Sequence, residues 1–324
     1  MSLDPALVER FQRDLDALIG RGERLGIAVS GGPDSLALLV LAAAARPGEV
    51  EAATVDHGLR PEGQQEAETV GEICRALGVP HAILTVDWAE KPVTAIQEQA
   101  RAARYRLLGQ WLADRDLTAL AAAHHADDQA ETLVMRLNRG SGVRGLAAMR
   151  AVARVPGCSF PLLRPLLAWR RAELEAICAS ARLAPASDPS NADERFERVR
   201  TRQALGDSGW LDVAAVGRSA ANLASADEAL GWAAQREWDE AVRQTDGAII
   251  YTPSAGVPQE ILRRVVERAL LALASEGSDE PLRGRELDGL IHALDAGGTA
   301  TMRGVLCSGG HQWRFSEAPA RKSL

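Results

Sequence analysis

The sequence predicts an α/β fold: a doubly wound, mostly parallel sheet, then a helical linker and a smaller α+β domain. Three observations carry this reading. Short apolar runs alternate with longer helical patterns from Leu25 to Arg139, the rhythm of βα units that feed a parallel sheet. The first run, Leu25 to Val29, ends in the turn cluster Ser30-Gly31-Gly32-Pro33 and leads directly into helix formers. An alanine-rich helical stretch from Asp212 to Arg243 then gives way to a last segment mixing helical and strand patterns. The boundaries read from this are 1–207 for the main domain, 208–247 for the linker and 248–324 for the small domain.

Each element has its own signal. Ile27, Ala28 and Val29 form a buried run too short for a helix. Two glycines then permit positive φ and close backbone approach. Asp34 and Ser35 are expected to cap a helix over Leu36 to Ala45. Strand, glycine turn and helix start together make an anion site, because unpaired amides and the positive helix end face outward. Glu51 to Val55 reads as a second strand ending at Asp56 and His57, with a helix from Pro61 to about Leu77. Ala82 to Val86 is a third strand, Thr94 to Asp114 a long helix, and Leu117 to Ala123 a fourth strand. His124-His125 and a helix from Asp127 to Arg139 follow. Gly140 to Gly145 reads as a loop too irregular for a helix, and Trp169 to Ala181 as a helix. In the last segment Gln259 to Ala274 and Arg285 to Asp295 read as helices, Ile249 to Thr252 as a strand. Thr299 to Leu306 and His311 to Phe315 are expected to pair as a hairpin about Ser308-Gly309-Gly310.

Ligands of such sheets sit beyond the carboxyl ends of the strands, where strand order reverses. The loops after strands one, two and four all lie at that edge. Three polar clusters distant in sequence are therefore expected to converge.

Composition narrows the class. The chain has 324 residues and is 46% apolar and 25% charged, ordinary values for a globular protein of two domains. Its longest apolar stretch, Leu36 to Ala45, falls well short of the roughly 20 residues that cross a bilayer, and Met1 to Gly20 lacks the apolar core of a signal peptide. A cytoplasmic protein is expected. Cys74, Cys158, Cys178 and Cys307 are far apart and form no Cys-x-x-Cys pair, against zinc, iron–sulfur and disulfide frameworks. The net charge of −7 disfavours nucleic acid as a general partner, yet eight arginines and no acid lie between Thr132 and Ala172. With Arg195, Arg198, Arg200 and Arg202 they form a local basic footprint, read either as a phosphate-binding stripe or as a solvated surface.

The glycine turn is not the common phosphate loop, which needs a lysine after its second glycine; the chain's two lysines are Lys91 and Lys322. Ser30-Gly31-Gly32-Pro33-Asp34-Ser35 resembles instead the pyrophosphate (PP) loop of ATP pyrophosphatases, which cleave ATP between its α and β phosphates. Further blocks extend the likeness: Val55-Asp56-His57-Gly58-Leu59-Arg60, Ala100-Arg101 with Arg104-Tyr105, His124-His125-x-Asp127-Asp128-Gln129-Ala130-Glu131-Thr132, Arg139-Gly140-Ser141-Gly142, Arg164-Pro165-Leu166-Leu167 and Asp188-Pro189-Ser190-Asn191. Together these resemble the bacterial tRNA(Ile)-lysidine synthetase family over residues 25 to 205, and the last segment resembles the one appended domain of its short form, which implies a small tRNA-positioning domain over 248–324. The chain departs from that pattern at Arg198-Val199-Arg200-Thr201-Arg202, without the family's asparagine and isoleucine, and at Ala186-Ser187.

The resemblance implies a two-step ligase that uses ATP, Mg²⁺, free L-lysine and the isoleucine tRNA with a CAU anticodon. The wobble cytidine is adenylated and lysine then displaces AMP. On this reading Ser30, Gly31, Gly32, Pro33 and Ser35 hold pyrophosphate, with Asp56 and His57 beside the nucleotide. Asp34 cannot favourably face phosphate without a cation, so it is assigned to Mg²⁺. Asp127, Asp128 and Glu131, three or four apart at a helix start, share one face and are expected to receive and help deprotonate lysine's ammonium. Favourable helix N-terminal charge is the competing explanation for Asp127 and Asp128. His124 and His125 are expected to hydrogen-bond nucleotide or neighbouring carboxylates, zinc lacking a third ligand at suitable spacing. Arg101 and Arg104 are either surface charges or the groups that orient lysine's carboxylate or the adenylate. Arg139, Arg144, Arg164, Arg195, Arg198 and Arg200 are candidates for tRNA phosphate. Two rivals stay open, a PP-loop tRNA thiolase and a non-catalytic tRNA-binding homologue. The oligomeric state is open as well, a homodimer included.

Overall fold

The computed structural model describes residues 3–59, 62–88, 94–155, 158–186, 195, 197–274 and 284–319. The chain divides into two compact units, Met1–Ala224 and Ser225–Leu324. The division falls inside one continuous helix, Val213–Ala241, so the stretch read as a separate linker is shared between the two units.

The first unit opens with α1 (Pro5–Asp16), whose Asp4 side chain accepts from the Ala6 amide. Then come β1 (Leu25–Ala28), α2 (Pro33–Ala45), β2 (Val50–Asp56), α3 (Glu62–Leu77), β3 (His81–Thr85), α4 (Ile96–Asp114), β4 (Ala119–Ala121) and α5 (Ala126–Asn138). After them follow α6 (Val143–Leu146), β5 (Val152–Arg154), β6 (Pro161–Leu163), α7 (Arg171–Ser180), α8 (Glu197–Asp207) and α9, the shared helix. The strands pair in the order β3-β2-β1-β4-β6-β5, all parallel except the edge pair β5–β6. Order therefore reverses between β1 and β4.

Alternation along the strands sends residues to two cores. Leu25 and Ile27 join Phe11, Leu15, Leu36, Val70, Leu174 and Ile177 on one face. Leu120 and Leu162 join Tyr105, Leu108, Trp111 and Leu112 of α4 on the other. Gly26 permits this second contact: a Cβ there would sit 2.5 Å from Leu112 Cδ2 and 2.7 Å from Trp111 Cζ3.

Several expectations change. Pro33 is the first residue of α2, so Asp34 and Ser35 lie inside the first turn and Gly32 is the cap. Proline's missing N–H costs nothing there, which lets the helix begin early. A short helix, α6, forms within the glycine-rich stretch expected to be a loop. The run read as one strand from Thr299 to Leu306 is two strands, broken at Arg303 and Gly304, both at positive φ (51° and 75°). Such a two-residue turn matches strand twist. The Asp188 to Asn191 turn lies outside the described residues.

The second unit contains β7 (Val242–Thr245), β8 (Ala248–Tyr251), α10 (Gln259–Leu273), α11 (Gly284–Asp295), β9 (Thr299–Met302), β10 (Val305–Ser308) and β11 (Trp313–Glu317). Its antiparallel sheet runs β7-β8-β11-β10-β9. Ile249, Tyr251, Val305, Cys307, Trp313 and Phe315 pack with Trp238 of α9 and with Val265, Val266, Leu290 and Leu294 of α10 and α11. Tyr251 meets Trp313 edge-on at 5.5 Å between ring centroids.

Candidate active site

The loops after β1 and β4 meet at the point where strand order reverses. In the first loop Gly31 takes φ 85°, a conformation open to glycine, and its carbonyl accepts from the Ala186 amide at 2.9 Å. Ser35, expected to hold pyrophosphate, is buried and braces the loop from within. Its hydroxyl donates to the Gly32 carbonyl at 2.9 Å and receives the Ser30 amide at 3.2 Å. A cradle for anionic oxygens at the start of a 13-residue helix results.

Asp34 points from α2 toward the second loop. Its Oδ1 is buried with no hydrogen-bond partner, and its Oδ2 lies 3.5 Å from His125 Nε2. An uncompensated buried carboxylate oxygen is expensive, so it marks a place built for a donor or a cation. Among the described residues no group of three or more His, Cys, Asp or Glu encloses a metal by protein ligands alone. That suits Mg²⁺, which is usually held by one or two carboxylates plus substrate phosphates.

His125 is 2% exposed. It caps α5: the Asp128 amide donates to its Nδ1 at 3.4 Å, and its own amide donates to Asp128 Oδ2 at 3.1 Å. Nε2 is then the nitrogen that faces Asp34 and, at 3.5 Å, Asp128 Oδ2. Burial disfavours its charged form, but the bond to Asp34 and the charges of Asp128 and Asp127 outweigh that and hold its pKa above the ordinary value.

His124 has the opposite electrostatics. Arg164 Nε donates to its Nδ1 at 3.2 Å. Burial first, then the Arg164 charge, push its pKa down to about 4. The ring is neutral at physiological pH and leaves Nε2–H as a donor. Because the unfolded chain binds this proton more tightly, His124 favours folding above pH 6.5 and loses that contribution as pH falls toward 4. Replacing Arg164 with methionine should move the His124 midpoint upward in an NMR titration of its ring protons; an unmoved midpoint would leave burial and the charges of Arg198 and Arg101 as its causes.

Two carboxylates expected to receive lysine are occupied instead. Asp127 takes a two-point contact from Arg170 (3.2 and 3.1 Å) and the Arg171 amide at 2.8 Å. Burial opposes ionisation of Asp127, but these partners hold its pKa below the usual range. Glu131, 2% exposed, accepts from Arg202 Nε at 2.6 Å and lies 3.2 Å from Arg198 Nε. A carboxylate neutralised by two guanidiniums attracts an ammonium weakly. Of the acids proposed for that task, Asp128 is the one in this cluster without an arginine partner among the described contacts.

The arginines also sort differently from expectation. Arg164, expected on tRNA phosphate, is 8% exposed and spent on His124 and on the Arg150 carbonyl at 2.7 Å, so it is an internal support. Arg139 and Arg198 are exposed but paired, to Glu197 and to Glu131 with Thr132. Arg144, Arg195 and Arg200 are exposed. Arg101 is exposed and stacks over the Tyr105 ring at 4.9 Å. Arg104 lies 3.4 Å from His57 Nε2, and burial, then the Arg104 charge, hold His57 below its ordinary pKa. His57 Nδ1 is buried without a partner, while Asp56 closes the turn by accepting from the Gly58 amide at 2.9 Å. Arg60 lies outside the described residues.

Arg170 and Arg202, read from the sequence as part of the basic footprint, instead hold Asp127 and Glu131, and sequence reasoning gave no site role to Cys178, whose thiol donates to the Pro33 carbonyl at 3.1 Å. Their partners lie 43 to 145 residues away, and no local pattern joins such positions.

Residues 7–208 match the PP-loop domain model. The chain is 47% identical over 317 residues to the tRNA(Ile)-lysidine synthase of Novosphingobium aromaticivorans, covering 97% of this chain and 94% of that one. The chain belongs to the tRNA(Ile)-lysidine synthase family. A second member, from Zymomonas mobilis, is 42% identical over 301 residues, covering 92% and 90% of the two chains. In fold the chain also resembles the U34-tRNA thiolase NcsA of Methanococcus maripaludis, solved with its 4Fe-4S cluster (TM-score 0.55, 16% identity, 67% of this chain and 78% of that one). That likeness shows the architecture. Of the four thiols, Cys74, Cys178 and Cys307 are buried, with burial pushing their pKa values up to about 12, 11 and 11, and the part-exposed Cys158 is raised by burial as well.

Proposed function

We propose that this member of the synthase family converts the wobble cytidine of the CAU-anticodon isoleucine tRNA to lysidine, using ATP and free lysine. The supporting observation is that Asp34, next to the pyrophosphate loop, meets His125 of the His124–Asp128 block through Oδ2 at 3.5 Å while its Oδ1 is buried without a partner. In the first step the cytidine C2 oxygen attacks the α-phosphorus of ATP, and the bond from that phosphorus to the β-bridging oxygen breaks. The amides of Gly31 and Gly32 and the start of α2 bind the departing pyrophosphate. Neutral His124 offers Nε2–H to an oxygen of the nucleotide or the cytidine. In the second step the ε-nitrogen of lysine bonds to C2, the C2–oxygen bond breaks, AMP leaves, and the amine gives up its protons. Asp128 is the carboxylate placed to hold the ammonium and take the first proton, its other oxygen engaged in the α5 cap.

Asp34, with the phosphates, would hold Mg²⁺, which supplies electrostatic stabilisation of the charge that develops on transfer. Exposed Arg144, Arg195 and Arg200 suit tRNA phosphate. Among the described residues no helix is long and apolar enough to cross a membrane, and we place the reaction in the cytoplasm.

The test is incorporation of labelled lysine into a CAU-anticodon tRNA(Ile) transcript, with and without ATP. ATP-dependent, lysine-specific labelling is expected. Pyrophosphate release without label would overturn the choice of nucleophile, and neither signal with tRNA still bound would favour a non-catalytic homologue.

A further inference from the structure

Trp210 takes no part in the proposed mechanism, yet it is 82% exposed, more than any other large apolar residue described. Its indole makes no hydrogen bond or ring contact among the described residues. The chain's other six tryptophans are placed differently. Trp111, Trp169, Trp238 and Trp313 are buried, Trp88 donates to the His57 carbonyl at 2.7 Å, and Trp232 lies beneath Arg236. An indole held in water is costly, and Gly209, at φ 58°, turns the chain just before this one.

Contacts between α8 and α5 fix where it stands. Glu197 at the start of α8 pairs with Arg139 at the end of α5, Arg198 reaches Thr132 at 3.0 Å, and Arg202, one turn further, reaches Glu131 at 2.6 Å. The two helices therefore run antiparallel. α8 ends toward the start of α5, where His125, Asp127 and Asp128 stand. The residues that follow arrive at the same end: Arg170, whose pKa is raised first by its bond to Asp127, also feels the charge of Asp212. Trp210 lies between the end of α8 and Asp212, on the rim of the candidate active site. Asp212 caps α9 through the Ala214 amide at 2.8 Å and lies 3.7 Å from Arg218, so this neighbouring acid is compensated.

The proposed chemistry creates a need at that rim. The C2 oxygen of the wobble cytidine must reach a phosphorus seated between the loops after β1 and β4. An enzyme that acts on a base takes it out of its stack, and the base that lay against it is left with a bare face. In a CAU anticodon that neighbour is adenine, a purine with a broad ring. An aromatic side chain free of other partners replaces a lost stack and needs no charge to do so.

We infer that Trp210 stacks on the adenine next to the wobble cytidine and holds the anticodon loop open while the cytidine enters the site. The inference rests on the proposed function and deepens it, adding an aromatic contact between the catalytic unit and one anticodon base.

The test uses the whole chain and a CAU-anticodon tRNA(Ile) transcript whose anticodon adenine is replaced by 2-aminopurine, a base quenched by stacking. Bound to wild type, without ATP or lysine, the probe should stay dark. Bound to Trp210→Ala it should brighten, and Trp210→Phe should restore the quenching. With unmodified transcript, Trp210→Ala should raise the dissociation constant about tenfold. The slope of log affinity against log salt should not change, since stacking releases no counterion. KM should rise for tRNA and not for ATP or lysine, and the melting temperature should hold, because the side chain stands in water. Equal brightness and equal affinity for wild type and Trp210→Ala would overturn the inference. Hydroxyl-radical footprinting of wild-type protein needs no variant to fold: tRNA should protect Trp210, and equal oxidation with and without tRNA would overturn it too. Wild-type enzyme that incorporates lysine with Trp210 unprotected defeats this inference alone; wild type that neither binds nor labels the transcript defeats the functional reading with it.

Discussion

Asp34→Ala is expected to abolish tRNA-dependent pyrophosphate release, by at least about 10³-fold, while leaving tRNA affinity nearly unchanged. The reason is its geometry: Oδ1 buried and unpartnered, Oδ2 at 3.5 Å from His125 Nε2. Removing one preorganised electrostatic group at a reacting centre costs about 3–4 kcal/mol, a hundred- to a thousandfold. Losing a metal-binding carboxylate removes the ion's contribution as well. The folded state should lose little, because Oδ1 has no partner and Oδ2 meets His125 at a long 3.5 Å. Retained pyrophosphate release would sink the Mg²⁺ assignment, and a collapsed melting temperature would show Asp34 to be structural.

The second large effect is at Glu131. As a lysine-binding carboxylate, its replacement by alanine would raise the lysine requirement far more than the ATP requirement. The structure shifts that expectation. Glu131→Ala leaves Arg202 and Arg198 facing each other beneath the active-site edge without their counter-ion. Breaking one side of a buried ion pair costs about 3–5 kcal/mol. Both guanidiniums are part-exposed, at 32% and 43% of their side chains, so solvent screens them and the loss should lie at or below the low end of that range. Thermal unfolding should move down by several degrees, and KM for lysine and for ATP should rise together as α8 loosens from α5. A lysine-selective defect with unchanged melting would restore Glu131 to the substrate site.

Much of this was legible in the chain. The α/β class, the parallel pairing of the strands and the meeting of the loops after β1 and β4 follow from apolar runs and glycine turns, which are local signals. β5 and β6 were not legible: each is three residues long, too short for a period to register, and β6 is specified by its pairing with β4. The roles of charged residues were the least legible. Asp127, Asp128 and Glu131 look equivalent along the helix, yet one faces Arg170, one caps the helix and one faces Arg202. The arginine partners of Asp127 and Glu131 are supplied by segments 43 or more residues away. The same holds for Arg164, whose burial is decided by the turn after β6.

The start of α7 is a shared anchorage. The Trp169 carbonyl receives the Ala126 amide at 2.8 Å, Arg170 and the Arg171 amide hold Asp127, and Cys178, two turns on, reaches the Pro33 carbonyl. Both helices that carry the candidate site residues, α2 and α5, are thus hung from one ten-residue helix that touches no substrate in the proposed mechanism. Lost activity in an Asp127 or Arg170 variant would therefore report a shifted spacing between Asp34 and His125, not a missing reactive group. Chemical rescue by a small carboxylate, which replaces a function but not a tether, separates the two.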